Sequence, residues 1–224
     1  KDRAVTMWDY EHLVLEHFPN IYKVKCLNHT RLMRQNQKIL VDNEVYPGYV
    51  LMVPIPYVKA STTVNPMRPY TDKKTLAAID KFLRARISPF VNLEVQNPKF
   101  EAIQVKFKVN FTRDITDPGF YVKQLKAAIR KYLSPWAYDE GVEISFGGQW
   151  HKSAIINFVE EQSYVDYVID FEMYHQADIQ ASDESWKSND LEVVRATTGR
   201  SILVYYDPPD DDHLIIAINQ GSSS

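Results

Sequence analysis

The chain has 224 residues, of which 45% are apolar and 25% are charged, and its formal net charge at pH 7 is -3. This composition is typical of a folded globular protein and excludes a disordered chain. The small negative charge argues against the broad basic surface that draws proteins onto nucleic acid. The length predicts two small domains.

Metal, disulfide and membrane sites have little support. Cys26 is the single cysteine, so no internal disulfide can form, and with His29 nearby it falls short of a zinc ligand set. No apolar run reaches the roughly 20 residues that span a bilayer, and no signal-peptide pattern is present. We therefore expect no cofactor and no membrane insertion. Because the chain begins at Lys1 without a methionine, we expect it to be a C-terminal portion of a longer protein.

The first predicted elements are one helix and two strands. A capping box at Thr6 and apolar residues at helical spacing predict a helix over 6–17. Alternation over 22–26 and an apolar run over 49–53 predict two strands that can pair as a hairpin. The polar stretch 28–44 between them is then a long loop.

Closely spaced prolines follow the second strand. Proline removes a backbone donor and fixes φ, so 54–70 is interpreted as an extended connection without helix or central strand. Asp72 then caps a helix that reaches about Ile87, and a strand over 91–95 follows. These elements complete a first α/β module, residues 1–97.

The second module, residues 98–176, has a β-α-β-α-β pattern. Its clearest elements are a half-buried strand over 103–111, helices over 122–133 and 154–159, and a strand over 165–173. In the last strand, every second residue from Val165 to Met173, including Tyr167 and Ile169, is expected to face the core.

The remaining residues, 177–224, are predicted to form an acidic loop over 177–190, a terminal hairpin over 201–218 and a disordered tail. The predicted fold class is α+β. It consists of two small α/β sandwich modules, with helices packed on mainly antiparallel, ferredoxin-like sheets, plus a C-terminal β-hairpin.

The patterns expected of an enzyme are missing. The sequence has no nucleophile elbow, phosphate-binding loop, dinucleotide fingerprint or zinc-protease motif. The histidines never fall at i, i+2 or i, i+4 to one another. The acidic residues of 207–212 lack the alternating positions and glycine of a calcium loop, so they are interpreted as a solvated turn. We predict no catalytic, cofactor-binding or metal-binding residues.

The aromatic content is high, with 14 Tyr, 10 Phe and 4 Trp. Tyrosine and tryptophan are enriched where proteins meet proteins, although core packing accounts for each tryptophan equally well. The candidate interface residues are Trp8, Trp136, Trp150, Trp186, Tyr205 and Tyr206.

Several strings resemble the baseplate J-like family of contractile phage tails and related injection systems. The string RAVT at 3–6, WDYE at 8–11 and FPNIYKVKC at 18–26 are similar to the segment where family members enter their C-terminal half. YLSPW at 132–136 is also similar, and the likeness covers about residues 3–175.

The resemblance implies a structural wedge component of a baseplate. Such a component would surround a six-fold axis and tie the tube and spike to the sheath, in a virion-like or injection particle assembled in the cytoplasm. The implied partners are other wedge subunits, further copies of this chain, and sheath or tube proteins. We expect 201–218 or 54–70 to act as an arm that adds a strand to a neighbouring sheet.

Two other interpretations stay open. A ferredoxin-like nucleic-acid or ligand-binding module would use the basic strand face of Lys106 and Lys108, but Phe107 and Phe111 alternate to the opposite face. A hydrolase would need distant side chains to converge in a pocket with perturbed titratable groups.

Overall fold

The computed structural model describes residues 3–35, 38–57, 65–139, 142–177, 190–206 and 214–218. Helices and mixed sheets alternate along these residues, so the predicted α+β class is confirmed. The chain divides into two compact units. Unit 1 comprises residues 1–99 and 198–201, and unit 2 comprises residues 100–197 and 202–224.

Three predictions fall outside the described residues, wholly or almost wholly. They concern the acidic loop over 177–190, the solvated turn over 207–212 and the tail over 221–224.

Unit 1 is a three-stranded sheet with two helices and a separate ribbon. Its elements are α1 (Met7–His17), β1 (Ile21–Asn28), β2 (Arg31–Gln35), β3 (Lys38–Asn43), β4 (Tyr49–Pro56), α2 (Lys73–Arg84) and β5 (Asn92–Val95). The main sheet has the order β1-β4-β5, with β1 antiparallel and β5 parallel to β4. The predicted first helix and the pairing of the first two predicted strands are confirmed.

Side-chain caps fix where the two helices begin. The Asp9 backbone N–H donates to Thr6 Oγ1, and the Asp9 carboxylate accepts from the Thr6 backbone N–H at 2.8 Å. Asp72 Oδ1 accepts from the Thr75 backbone N–H at 2.9 Å. One apolar stripe of each helix then packs on the sheet. The buried cluster consists of Ala4, Tyr10, Val14, Ile21, Val24, Cys26, Val50, Met52, Ile79, Leu83 and Leu93.

The polar stretch 28–44 was predicted to be a long loop, and this prediction is wrong. It forms the antiparallel ribbon β2–β3, in which Met33 lies opposite Val41. The ribbon is fixed partly by an ion pair between Asp42 and Arg200, which are far apart in sequence. Local patterns do not contain this contact, so they did not predict strands here.

The prediction that 54–70 contains no central strand is also wrong at the beginning of this range. Pro54 and Pro56 lie inside β4, the middle strand of the sheet. β5 pairs only with Tyr49–Met52, so beyond Met52 the strand has a strand partner on one side only, where a missing N–H is tolerated. Residues 58–64 of the predicted connection lie outside the described part.

Unit 2 is built around one long strand. Its elements are β6 (Lys99–Phe111), α3 (Pro118–Leu133), β7 (Gln149–His151), α4 (Lys152–Glu160), β8 (Val165–Gln176), β9 (Val193–Arg195), β10 (Ser201–Tyr205) and β11 (Ile215–Ala217). β6 pairs with β8, β10 and β11. The helices bury the apolar residues Leu125, Ile129, Leu133, Ile155 and Val159.

Two topological details differ from the prediction. The order β6-α3-β7-α4-β8 follows the predicted pattern, but β7 pairs with β9 in a separate sheet, so the ferredoxin-like detail stays unconfirmed. β10 and β11 do not form a hairpin, because each pairs with β6, and β11 is parallel to it. All five residues of β10 are buried, so the described part of 201–218 is sheet and not a projecting arm.

The inward face of β8 is only partly as predicted. Tyr167 and Ile169 are 44% and 42% exposed, whereas Phe171 and Met173 are buried. Asp170 lies between the two pairs with φ 53, and the register with β6 shifts nearby. A bulge at Asp170 therefore breaks the two-residue alternation on which the prediction depended.

Candidate subunit interface

Trp8 lies in the first turn of α1 and is 66% exposed. Its indole stacks on the His12 imidazole one turn later, with ring centroids 4.6 Å apart and planes at 10°. Tyr10 and Val14 are the buried residues of this helix. Trp8 is thus a large, oriented aromatic side chain with most of its surface open, which is the form that interface anchors take.

Trp136 and Trp150 are half-buried in unit 2. The Trp150 ring lies 5.2 Å from that of Tyr132, which stacks on Phe158 at 4.0 Å. Trp136 lies in a 3-10 turn after α3, and its Nε1 is buried without a hydrogen-bond partner among the described residues. The Trp150 ring is thus used in packing within its own unit.

Tyr205 and Tyr206 offer less surface than Trp8. Tyr205 is 3% exposed, and its backbone N–H donates to Ser134 Oγ at 3.3 Å. Tyr206 is half-buried, and its backbone N–H donates to the Ile103 carbonyl at 2.7 Å. Trp186 lies outside the described residues. No single unit holds the whole set, because Trp8 belongs to unit 1 and the other described candidates belong to unit 2.

Three exposed apolar residues were missed by the sequence interpretation. Phe90 is 88% exposed, Val45 84% and Val5 77%, and with Trp8 they are the most exposed large hydrophobic residues of the described chain. Phe90 and Val45 lie in connections within two residues of a proline. An apolar side chain beside a chain breaker, outside any periodic pattern, is the signal that could have identified them.

Two of these residues lie where β4 and β5 begin. The strands are parallel, and the Asn92 backbone N–H donates to the Gly48 carbonyl at 2.8 Å, so both strands start at the same end of unit 1. Val45 lies in the connection before β4 and Phe90 in the connection before β5.

The start of α1 reaches the same end. The Ala4 backbone N–H donates to the Arg86 carbonyl at 3.0 Å, which joins the segment before α1 to the segment before Phe90. The Tyr46 backbone N–H donates to the His29 carbonyl at 2.7 Å, just after β1. We name this surface the apolar end of unit 1, defined by Val5, Trp8, Val45, Tyr46 and Phe90.

Carboxylates near the apolar end are turned toward backbone N–H groups of the same unit. Asp9 accepts from Val5 and Thr6, and Glu11 Oε1 accepts from the Cys26 backbone N–H at 2.8 Å. Glu44 Oε1 accepts from the Gly199 backbone N–H. These contacts tie the connections in place.

Cationic side chains at the same end lie over aromatic rings or are exposed to solvent. The Arg31 guanidinium lies over the rings of Tyr46 and Tyr49, 4.8 and 5.2 Å from their centroids. Arg3 and His29 are exposed. The end therefore combines aromatic, aliphatic and arginine side chains, the composition that is enriched at protein interfaces.

The described residues show little that could perform chemistry. Burial, with a smaller contribution from Glu11, raises the pKa of the Cys26 thiol to about 12, so this thiol is protonated at neutral pH and is a poor nucleophile. No group of three or more His, Cys, Asp or Glu among the described residues could hold a metal ion. No helix in the described ranges is long and apolar enough to cross a membrane.

A described cleft beside β5 is lined by ion pairs. Its volume is about 420 Å³, and Arg34, Asp80, Arg84 and Glu94 contribute to its walls. Arg34 Nη2 lies 2.8 Å from Glu94 Oε2, and Arg84 Nε lies 2.7 Å from Asp80 Oδ2. These charges neutralise one another in pairs.

Comparison with known proteins supplies the biological setting. A family model described as baseplate protein PVC11-like matches residues 1–198. No curated protein sequence matches the chain. Among solved structures, the chain is similar to a chain of the six-fold symmetrised cryo-EM structure of the anti-feeding prophage baseplate, with a TM-score of 0.58 and 18% identity. The similarity covers 92% of this chain and 38% of that chain, and at this identity it shows the fold alone.

The matched family defines a structural baseplate component of a phage-tail-like contractile injection system. The fold agrees with that of a chain from the anti-feeding prophage baseplate. Within that class, the chain belongs to the PVC11-like family of baseplate proteins. The resemblance noted in the sequence is thus confirmed for the kind of machine. Its finer assignment to the baseplate J-like family stays a hypothesis.

Proposed function

We propose that the chain is a wedge component of the baseplate, present in several copies around a six-fold axis, which links the tube and spike to the sheath. The observation that carries this proposal is the family match over residues 1–198. The fold similarity to a chain of a six-fold symmetrised baseplate supports it. The role is structural, and its partners are other baseplate subunits, further copies of this chain, and tube or sheath proteins.

The proposed role is mechanical. A wedge must hold its neighbours in a loaded baseplate and let contacts rearrange when the sheath contracts. The first task is suited to a rigid unit, and in unit 1 the ribbon β2–β3 is tied to residues 198–201 by a two-pronged ion pair between Asp42 and Arg200. The second task requires contacts on the outside of that unit, where Trp8 and Phe90 are exposed.

Electron microscopy of particles from the native source tests the proposal. The chain is produced with a C-terminal affinity tag, and purified particles are labelled with gold against the tag. We expect label in a ring at one end of a sheathed tube. Particles that contain the untagged chain are the control for nonspecific labelling. Label that is absent from such particles, or spread along the sheath, would contradict the proposal.

A further inference from the structure

We infer that an extended segment of a neighbouring baseplate subunit adds as a strand to the outer edge of β8, along residues 166–169. We name these residues the open edge of β8. The added segment carries apolar residues at alternate positions and a basic residue near the start of β8. This inference deepens the proposed function and rests on it, because it assigns the edge at which a neighbour binds and the chemistry of the bound segment.

Backbone direction is the first step. The Val109 carbonyl of β6 accepts from the Ile218 N–H at 2.9 Å, so Val109 directs its backbone groups away from β8. Val109 lies opposite Val168 in the antiparallel register. In such a non-hydrogen-bonded pair both residues point their N–H and C=O away from each other, so those of Val168 point outward. Outside the ladder with β6, no hydrogen bond from the described residues reaches the backbone of 166–169.

Other edge positions of the main sheets are closed within the chain. Beyond the bulge in β8, the Met173 N–H donates to Asp190 Oδ1 at 2.8 Å, and its carbonyl accepts from the Leu191 N–H at 2.9 Å. In the edge strand β5 of unit 1, the Leu93 carbonyl accepts from Arg84 Nη2 at 2.7 Å. Covered edges do not template pairing with another chain. Outward N–H and C=O groups without such cover are recognised by an extended backbone.

Side chains beside the open edge define the apolar part of the partner. Tyr167 and Ile169 are 44% and 42% exposed and lie on one face of the sheet, opposite Asn110 and Lys108 of β6. Ile216 of β11 lies on the other side of Lys108 and is 42% exposed. Aromatic and β-branched residues gain stability from apolar cross-strand neighbours. An added strand with apolar residues at every second position would supply them.

Charge defines the polar part. Three exposed carboxylates, those of Glu160, Glu161 and Asp166, lie just before or at the start of β8. Glu161 accepts from the Asn157 amide at 2.8 Å, and Asp166 accepts from the Asn110 amide at 3.2 Å. A neutral amide donates a hydrogen bond and leaves the negative charge in place.

The segment beside these carboxylates does not balance them. The Thr112 N–H donates to the Tyr164 carbonyl at 3.1 Å, and the Tyr121 ring lies 5.1 Å from that of Tyr164, so the β6–α3 connection and the start of α3 lie beside the start of β8. The charged residues of 112–123 are Arg113, Asp114, Asp117 and Lys123. Their charges cancel, so the excess negative charge favours a basic residue on the added segment.

The open edge of a second copy does not fit this description. The β8 sequence, VDYVIDFEMYHQ, contains no lysine or arginine, so pairing of two β8 edges supplies no basic residue. Antiparallel pairing of one edge with itself is also two-fold, whereas neighbours in a ring around a six-fold axis meet through two different surfaces. The partner strand is therefore a different segment from β8.

Hydrogen exchange of the wild-type chain is the direct test. Exchange is measured by mass spectrometry with fragmentation to single residues, both for the purified chain and for the chain in purified particles. The outward Val168 amide should exchange rapidly in the purified chain. Assembly should slow this exchange about 10-fold or more, because the added strand accepts its hydrogen bond. The Phe107 amide donates to the Leu214 carbonyl inside the sheet and is the control, protected in both samples.

A backbone variant gives a second test. Val168→Pro removes the outward N–H, and proline is tolerated on the outward side of an edge strand. Val168→Thr keeps the N–H and is the matched control. Each variant replaces the chain in the producing cell under limiting expression, and chain per particle is measured by quantitative mass spectrometry. We expect Val168→Pro to be incorporated about 10-fold less than Val168→Thr, since the partner carbonyl loses its donor. If Val168→Pro does not fold, the exchange of the wild-type chain decides.

The charge component is tested by Asp166→Asn. This variant keeps an oxygen that can accept from the Asn110 amide but removes the negative charge. We expect incorporation to fall about 2–5-fold, the range of an exposed charge pair. Glu16→Gln removes an exposed carboxylate of unit 1 and is the control, with unchanged incorporation.

The outcomes separate the two levels of the proposal. Wild-type chain missing from the particles would overturn the proposed function. Wild-type chain present, with a Val168 amide that exchanges as fast in particles as in the purified chain, would overturn only this inference. A Val168 amide already protected in the purified monomer would also overturn it, because the edge would then be closed within the chain. Self-association of the purified chain that Val168→Pro abolishes would overturn it too, since the added strand would then be β8 of a second copy.

Discussion

Replacing Asp42 by leucine tests how residues 198–201 become part of unit 1. Asp42 accepts two hydrogen bonds from Arg200, from Nε at 2.6 Å and from Nη2 at 3.0 Å. The two side chains are 3% and 8% exposed, and Arg200 Nη1 also donates to the Asn97 carbonyl at 3.1 Å. The leucine would leave the guanidinium buried without its carboxylate.

The expected loss is large. Removing one partner of a buried ion pair costs about 3–5 kcal/mol, because the remaining charge loses both solvent and counter-charge. For a chain of this size, 1 kcal/mol shifts the melting temperature by about 2–4 °C. Asp42→Leu should therefore lower the melting temperature of the chain by roughly 6–20 °C.

Thermal unfolding followed by circular dichroism gives the size of the effect, and hydrogen exchange of the β4 amides assigns it to unit 1. The double variant Asp42→Leu/Arg200→Met should recover most of the loss, since apolar replacements of a whole buried pair are often neutral or better. Lys131→Ala breaks an exposed pair with Asp139 and serves as the control, at about 0–1 kcal/mol. A single variant no less stable than this control, or a double variant no better than the single, would refute the reasoning.

Three further predictions concern single side chains. Cys26 should resist a thiol reagent at pH 8 in the native protein and react rapidly in urea, because burial first and Glu11 second raise its pKa to about 12. Asp72→Ala should lower the free energy of unfolding by about 1 kcal/mol at pH 7 through loss of the helix cap. The Asp72 pKa is lowered chiefly by its hydrogen bonds from Thr75, so this stabilisation is fully present above the ordinary value of 3.8 and is lost as the pH falls through the lowered pKa. Asp170→Val should lower the melting temperature, since a β-branched residue is strained at φ 53.

Each of these three predictions would be contradicted by one specific result. Rapid labelling of Cys26 in the native state would show that the thiol is accessible. If Asp72→Ala lowers the free energy of unfolding equally at pH 7 and at pH 2, the charge of the Asp72 carboxylate does not contribute to the helix cap. Glu172→Val also replaces a carboxylate of this strand, but Glu172 does not have a positive φ. If both variants lower the melting temperature equally, backbone strain does not explain the effect of Asp170→Val.

Local sequence patterns predicted correctly those helices and strands whose determining contacts lie close together in the chain. The capping box at Thr6 and the cap at Asp72 mark helix starts that the structure places one residue later, at Met7 and Lys73. The alternation along 103–111 matches a strand that begins at Lys99 and ends at Phe111. In each case the governing contacts lie within a few residues in sequence.

The features that the sequence did not predict depend on contacts between residues that are far apart in the chain. The ribbon β2–β3 is tied by Arg200, which lies 158 residues beyond Asp42. β10 and β11 pair with β6 instead of with each other. At the candidate interface, Trp8 was identified from residue type alone, whereas Phe90 and Val45 required the topology that brings the starts of β4 and β5 together.

The most direct test of the account is a cryo-EM map of the native particle at side-chain resolution. We predict six copies of this chain in the baseplate ring, with Trp8 and Phe90 buried against a neighbouring subunit. A baseplate that lacks the chain would contradict the proposed function. A chain that is present with Trp8 and Phe90 facing solvent would contradict the interface.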